Sequence, residues 1–215
     1  MRLLVEYGPA LLGGLAMTIW CWACGAVLGL LLGAVVALLY RGPAPLRWVL
    51  RGTTDIVRGT PFLVQLFLLY SGGPSIGLRL EAIPAGIIAL GIYSAAYFAE
   101  VFRGGFVAVP RGQVEAAESL GMSPASILLR VEVPTMLVPI MPALVNVLIT
   151  LTKETVILSI ITVPELMYQV ETMAAETFAA FQAIAAMAVL YWLLVEAVAW
   201  AGRRAEYRVT RFLRA

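Results

Sequence analysis

Thirty-two consecutive residues, Pro9 to Tyr40, carry no charged side chain, and this run limits the possible folds more than anything else in the chain. A hydrocarbon core ~30 Å thick takes about 20 helical residues to cross, and inside it every backbone N–H and C=O must be satisfied within its own segment. The run therefore reads as a transmembrane helix. Comparable apolar runs follow at about 61–78, 84–102, 137–161 and 181–201. Charged residues make up only 13% of the chain, against about 25% in soluble globular domains. A β-barrel would show short alternating segments instead of long apolar runs. The expectation is an all-α integral membrane protein, one domain over 1–215, with five transmembrane helices.

Arginine placement orients it. Cytoplasmic loops retain positive charge, and twelve of the fifteen basic residues fall on one side: Arg41, Arg47, Arg51 and Arg58 after the first span, Arg103, Arg111 and Arg130 after the third, and five arginines from Arg203 to Arg214 in the tail. The other side holds Arg2 and Arg79 with the acidic residues Glu6, Glu81, Glu165, Glu171 and Glu176. The N-terminus is expected outside and the C-terminus in the cytoplasm. The first span reads as a membrane helix and not as a cleavable signal peptide, being too long for one.

Two features of that span are structural. Gly25, Gly29 and Gly33 form a small-residue face for close helix packing, within or between subunits. Cys21 and Cys24 lie in the apolar run, and with no histidine in the chain they read as small apolar residues, with no metal site expected.

A charged segment, EAAESLGMSPASILLRVEVP from Glu115 to Pro134, separates spans three and four. Glu115, Ala116, Ala117, Glu118 and Leu120 favour a helix. Gly121 suits a helix C-terminus with positive φ. Ser123 and Pro124 suit the N-cap and first position of a second short helix, which Pro134 is expected to close. The product is a helical hairpin on the cytoplasmic membrane surface, over about 111–134. An ordinary interfacial amphipathic loop has the same composition.

EAA, three residues, Gly, nine residues, then Val131, Val133 and Pro134 resembles the EAA loop of bacterial ABC importer permeases. RGTPFLVQLFLLYSG (Arg58 to Gly72), SAAYFAEVFRGGFVAVPRGQVEAAESLG (Ser94 to Gly121) and KETVILSIITVPEL (Lys153 to Leu166) are similar to the polar amino acid permease subfamily. The resemblance runs from GLAMT in span one to the arginine-rich tail. It implies that the hairpin, through Glu115, Ala116, Ala117, Leu120, Gly121, Met122, Ser123 and Pro124, is a coupling helix seated on a cytoplasmic ATPase. It also implies two such ATP-binding subunits, a second permease subunit (identical or homologous), an extracytoplasmic substrate-binding protein, and residence in the bacterial inner membrane. Two departures stand out: Tyr93 where relatives commonly have Asn, and Glu154 and Val156 in a stretch that usually reads K-D-T-S-L. The segment after Pro134 also lacks the Gln and basic residues often found there.

The chain contains no GxxxxGK[ST] and only one lysine, Lys153 within a span, so it has no P-loop to cradle ATP. No cofactor is expected in this chain, ATP and Mg falling to the partner subunits, and no nucleic acid. Ionisable residues at membrane depth are functional candidates. Lys153 and Glu154, adjacent and about 100° apart on a helix, cannot simply neutralise each other, and with Thr152 and Thr155 they suit a zwitterionic solute. Glu100 is read as an ion pair with Arg103, or as a pathway group. Glu196 is read as snorkelling, pairing with a tail arginine, or acting in transport. Thr60, Gln65 and Tyr97 complete the candidate pathway, Gln65 being favoured as a tie between helices. The competing reading is a stand-alone secondary transporter or channel with an intramembrane carboxylate relay, which predicts inverted repeats that five spans divide into poorly.

Overall fold

A computed structural model describes residues 2–210, with side chains from Glu6 onward. The elements are α1 (Arg2–Leu39), α2 (Ala44–Gly59), α3 (Phe62–Tyr70), α4 (Ala82–Ala108), α5 (Arg111–Ser119), α6 (Pro124–Ile127), α7 (Val133–Glu154), α8 (Leu166–Thr177) and α9 (Ala180–Thr210). No strand occurs among the described residues. Four helical stretches are long and apolar enough to cross a membrane: Glu6–Leu39, Ala82–Ala108, Pro124–Ile161 and Ala180–Thr210. They match the first, third, fourth and fifth expected spans.

The expected second span, 61–78, is not one helix. α3 covers Phe62–Tyr70, a short 3-10 turn covers Gly73–Ile76, and Gly77 turns the chain at φ 84°. Nine residues reach only about 14 Å at ~1.5 Å per residue, too short to cross. α2 precedes α3 directly and ends at Gly59; its C-cap Thr60 is extended at φ −108°, ψ 141°, as suits the residue before Pro61. Both helices pack against α4.

The glycine face of α1 packs within the subunit. Gly25, Gly29 and Gly33 meet Leu90, Ser94 and Phe98 of α4 in turn. A Cβ on Gly33 would stand 2.9 Å from Ala95 O and 3.0 Å from Ala99 N, so the backbones meet with no room for a side chain. Small residues of α4, including Gly91, Ala95 and Ala99, are buried on the facing side.

Pro134 does not close the hairpin. α6 passes through a π-turn over Leu128–Glu132 into α7, where Pro134 lies in the first turn. Val133 N–H donates to Leu128 O, five residues back. A proline in a regular helix clashes with the carbonyl four residues earlier; the wider turn just before Pro134 relieves that clash, and the helical path runs on through Pro139 and Pro142 to Ile161.

Between the fourth and fifth spans, where only a loop was expected, α8 forms after a left-handed Thr162 (φ 64°) and packs on α1 and α9. At the C-terminal end α9 carries Arg203, Arg204 and Arg208 on a helix, while Arg211 and Arg214 lie outside the described residues.

Candidate functional site

Three groups of side chains hold the residues singled out from the sequence. The hairpin comes first. α5 ends at Ser119, Gly121 takes φ 75°, and the Ser123 hydroxyl accepts from Ser126 N–H at 3.4 Å at the N-cap of α6, with Pro124 behind it. Ala117 and Ile127, one in each arm, are buried. Glu115, Ala116, Ser123 and Pro124 are exposed and Met122 partly so. Leu120 is 82% exposed, an apolar tip held by a capped turn with nothing covering it.

The second group is the α2–α3 junction. The Gln65 amide nitrogen donates to Val57 O at 2.7 Å, Thr60 O at 3.1 Å and Thr60 Oγ1 at 3.0 Å. Pro61 has no N–H, so the last carbonyls of α2 would otherwise lack donors. The Gln65 side chain thus bonds the last turn of α2 from α3. Thr60 Oγ1 donates back to Ile56 O at 2.9 Å.

The third group lies between α2, α4 and α7. Arg103 grips Glu100 at 2.7 Å, Arg58 stands 3.8 Å from the same carboxylate, and the Arg58 guanidinium lies 5.5 Å over the Tyr97 ring. Further along α4 the Tyr93 hydroxyl is 3.3 Å from that of Tyr97 and 3.5 Å from Glu154 Oε1. Tyr93 and Glu154, both singled out from the sequence, are therefore spatial partners. A cavity of about 110 Å³ opens beside them, lined by Tyr93, Tyr97, Asn146 and Thr150 among others.

Lys153 points elsewhere. It is exposed, has no carboxylate within ion-pair distance among the described residues, and borders an open cavity of about 430 Å³ with Tyr191 and Trp192 of α9. Thr152 and Thr155 are buried and bond backbone carbonyls at Leu148 and Thr152, Thr155 also meeting the Tyr191 hydroxyl at 3.3 Å. They hold the α7 end and do not face an open path. Glu196 pairs with Arg203 at 2.6 Å on the surface.

Sequence reasoning missed Glu165 and Asn146. Glu165 was counted with the acidic loops, and Glu6, Glu81, Glu171 and Glu176 are indeed exposed. Glu165 is 0% exposed. Its carboxylate accepts from Tyr168 N–H at 3.0 Å and meets the Tyr191 and Thr18 hydroxyls at 3.1 and 3.3 Å. It lies outside the spanning segments, and burial pushes its carboxyl above the usual carboxylate range, partly offset by hydrogen bonds from the backbone at Met167 and Tyr168. Glu165 is the N-cap of α8, a position the preference for Ser, Thr, Asp or Asn does not announce.

Residues 27–211 match the family described as binding-protein-dependent transport system inner membrane component. The chain is 33% identical over 203 residues to the arginine transport system permease protein ArtQ of Bacillus subtilis (strain 168), covering 94% of this chain and 93% of that protein. It is 31% identical to the L-cystine transport system permease protein TcyB of the same organism, covering 97% and 90%. Among solved structures, an amino acid ABC transporter crystallised with histidines aligns with a TM-score of 0.87 at 35% identity over 95% of this chain and 96% of that one.

Proposed function

This chain belongs to the binding-protein-dependent transport system inner membrane component family, and on that premise we propose how its parts divide the work of import. As a member it is the permease subunit of an ABC importer, a multi-pass inner-membrane component whose ATPase resides in separate subunits. Within that role the exposed tip at Leu120 is the contact with the ATPase: a capped hairpin continuous with the spanning stretch Pro124–Ile161 turns motion of a partner into motion of a transmembrane helix. This continuity is the observation that carries the coupling reading.

Five crossings complete the topology, α2 and α3 together supplying the second, since Ala44–Tyr70 extends to about 40 Å. The arginines then place the start of α2, at Arg47 and Arg51, the hairpin and the end of α9 at the cytoplasmic side. A second permease subunit pairs with this one, and an extracytoplasmic binding protein delivers the solute. ATP and Mg are held by the ATPases alone.

The relatives named for arginine and L-cystine and the Tyr93–Glu154 pair beside a cavity that Asn146 and Thr150 also line favour polar amino acids or related zwitterions as substrate. Tyr97 and Glu154 face the path, whereas Glu100 is held by Arg103 and Arg58 and Gln65, Thr60, Thr152 and Thr155 hold helices. Glu100 and Glu196 are each paired to arginine, which speaks against their serving as a carboxylate relay in a stand-alone transporter.

The test is reconstitution with the cognate ATPase and binding protein. Ligand-loaded binding protein should stimulate ATP hydrolysis, and Gly121→Val, forcing a β-branched residue to φ 75°, should abolish stimulation while leaving the permease inserted. Normal stimulation by the variant would remove the coupling role. A ligand screen on the binding protein identifies the solute.

A further inference from the structure

Where α1 ends and α2 begins, four arginines converge on one cleft. A cavity of about 270 Å³ is lined by Arg41, Arg47, Arg51 and Arg103, with Phe106 and Glu132. Their charges are not all answered. Arg41 is spent on Glu132 at 2.6 Å and Arg103 on Glu100 at 2.7 Å. Arg47 and Arg51 are exposed, and among the described residues neither has a carboxylate within 4.0 Å, Asp55 one turn beyond Arg51 included. Two guanidinium groups thus face the same cavity without a counter-charge.

We propose that this cleft binds a phosphate-bearing anion, and that its source is the headgroup of an anionic phospholipid. Guanidinium forks match phosphate oxygens in paired N–H···O geometry, and two uncompensated forks beside two fixed ones form a preset cradle. The setting selects lipid over a soluble anion. The cleft opens beside α2, whose outward residues alternate between charge and grease: Leu46, Trp48, Val49 and Ile56 are exposed, Trp48 by 73%, next to Arg47 and Arg51. Aromatic and basic residues so interleaved belong at the headgroup level, and basic pockets between membrane helices on the cytoplasmic side hold anionic headgroups. Phe106 carries the Arg41 guanidinium 5.3 Å over its ring, so the cleft floor is fixed before the lipid arrives. Placing the site in the inner leaflet rests on the orientation proposed above; binding itself does not.

The test uses the full chain purified in detergent, with phosphatidylglycerol, phosphatidylcholine and inorganic phosphate as probes. Retention of each lipid is counted by native mass spectrometry, and protection is read from thermal unfolding. Arg47→Gln with Arg51→Gln should lower phosphatidylglycerol retention roughly thirtyfold, a factor of about five for each arginine near a charged surface. Arg204→Gln with Arg208→Gln, which removes the same charge from α9, should leave retention unchanged. Phosphatidylcholine should be neither retained nor protective, and millimolar inorganic phosphate should not displace the glycerol lipid. Equal loss in both double variants, or no loss in either, would overturn the site, since only bulk charge or nothing would then be acting. Displacement by inorganic phosphate would overturn the lipid source in favour of a soluble anion. A separate arm tests orientation: Gly52→Cys, at a position where a side chain meets nothing within 4 Å, should react with an impermeant maleimide only from the cytoplasmic face. Labelling from outside would sink the leaflet assignment while leaving the detergent measurement standing.

Discussion

Arg41 and Glu132, 91 residues apart, meet through two N–H···O bonds of 2.6 and 2.9 Å. The pair clamps the end of α1 to the π-turn through which the hairpin becomes α7. The Glu132 side chain is 8% accessible and that of Arg41 48%, so the carboxylate depends on its partner far more than the guanidinium does. Removing one partner of a fully buried pair costs about 3–5 kcal/mol; half-exposure of Arg41 lowers this to roughly 1–3 kcal/mol. Arg41→Met should destabilise the purified chain by that amount in thermal or denaturant unfolding, and Glu132→Gln in the Arg41→Met background should recover part of it. Simple additivity of the two changes in a double-mutant cycle would mean the bonds do not hold the two elements together.

The glycine face of α1 yields a prediction with an internal control. At Gly33 a Cβ would press on backbone atoms of α4 that cannot swing aside, 2.9 and 3.0 Å away. Gly33→Ala should separate the helices and cost roughly 1–3 kcal/mol, the usual range for overpacking. At Gly13, on the same helix, a Cβ meets nothing within 4 Å, and Gly13→Ala should be neutral or stabilising by about 0.5–1 kcal/mol through backbone entropy. Equal effects of the two changes would remove the close approach from the account.

How far the sequence spoke depended on whether the governing force was local. Long apolar runs and arginine bias are properties of a single segment, and α1, α4, α7 and α9 fall where those runs predicted. Gly121, Ser123 and Pro124 are likewise local choices of backbone conformation, and the turn forms around them as expected. Pro134 failed as a stop because a π-turn over Leu128–Glu132 relieves its strain, and no residue in the segment announces that turn. The second apolar run was legible only in part: Gly72, Gly73 and Pro74 announce the break after Tyr70, whereas the tie of α3 to α2 through Gln65 is a matter of tertiary contact. The candidate site was only half legible. Glu100–Arg103 follows from helix spacing, whereas the pairing of Tyr93 with Glu154, 61 residues away, is a fact of tertiary packing.

Gln65 separates a helix tie from a substrate contact. Gln65→Leu removes three hydrogen bonds and leaves carbonyls at the end of α2 without a donor, which costs about 1–3 kcal/mol for each buried group left unpaired, less here because the junction is only partly buried. The expected outcome is a drop in unfolding temperature and in transport rate, with the apparent affinity for solute unchanged. A weakened affinity at full thermal stability would instead make Gln65 a substrate ligand.

Glu165 gives the chain a pH dependence of definite sign. Burial raises its carboxyl above the usual carboxylate range, so the folded protein holds this proton at pH values where the unfolded chain, titrating near ~4.3, has released it. Stability from this group is therefore fully present below the unfolded value and declines as pH rises through the raised folded one. Glu165→Gln keeps an acceptor for Tyr168 N–H and has no proton to lose, so its unfolding temperature should stay flat across the window in which the parent declines. Glu165→Leu strands Tyr168 N–H and takes one partner each from the Thr18 and Tyr191 hydroxyls, which keep Gly14 O and the Thr155 hydroxyl, and should lose on the order of 2 kcal/mol at every pH. Parallel pH profiles for the parent and the Gln variant would show that Glu165 is not the titrating group, whatever the Leu variant costs.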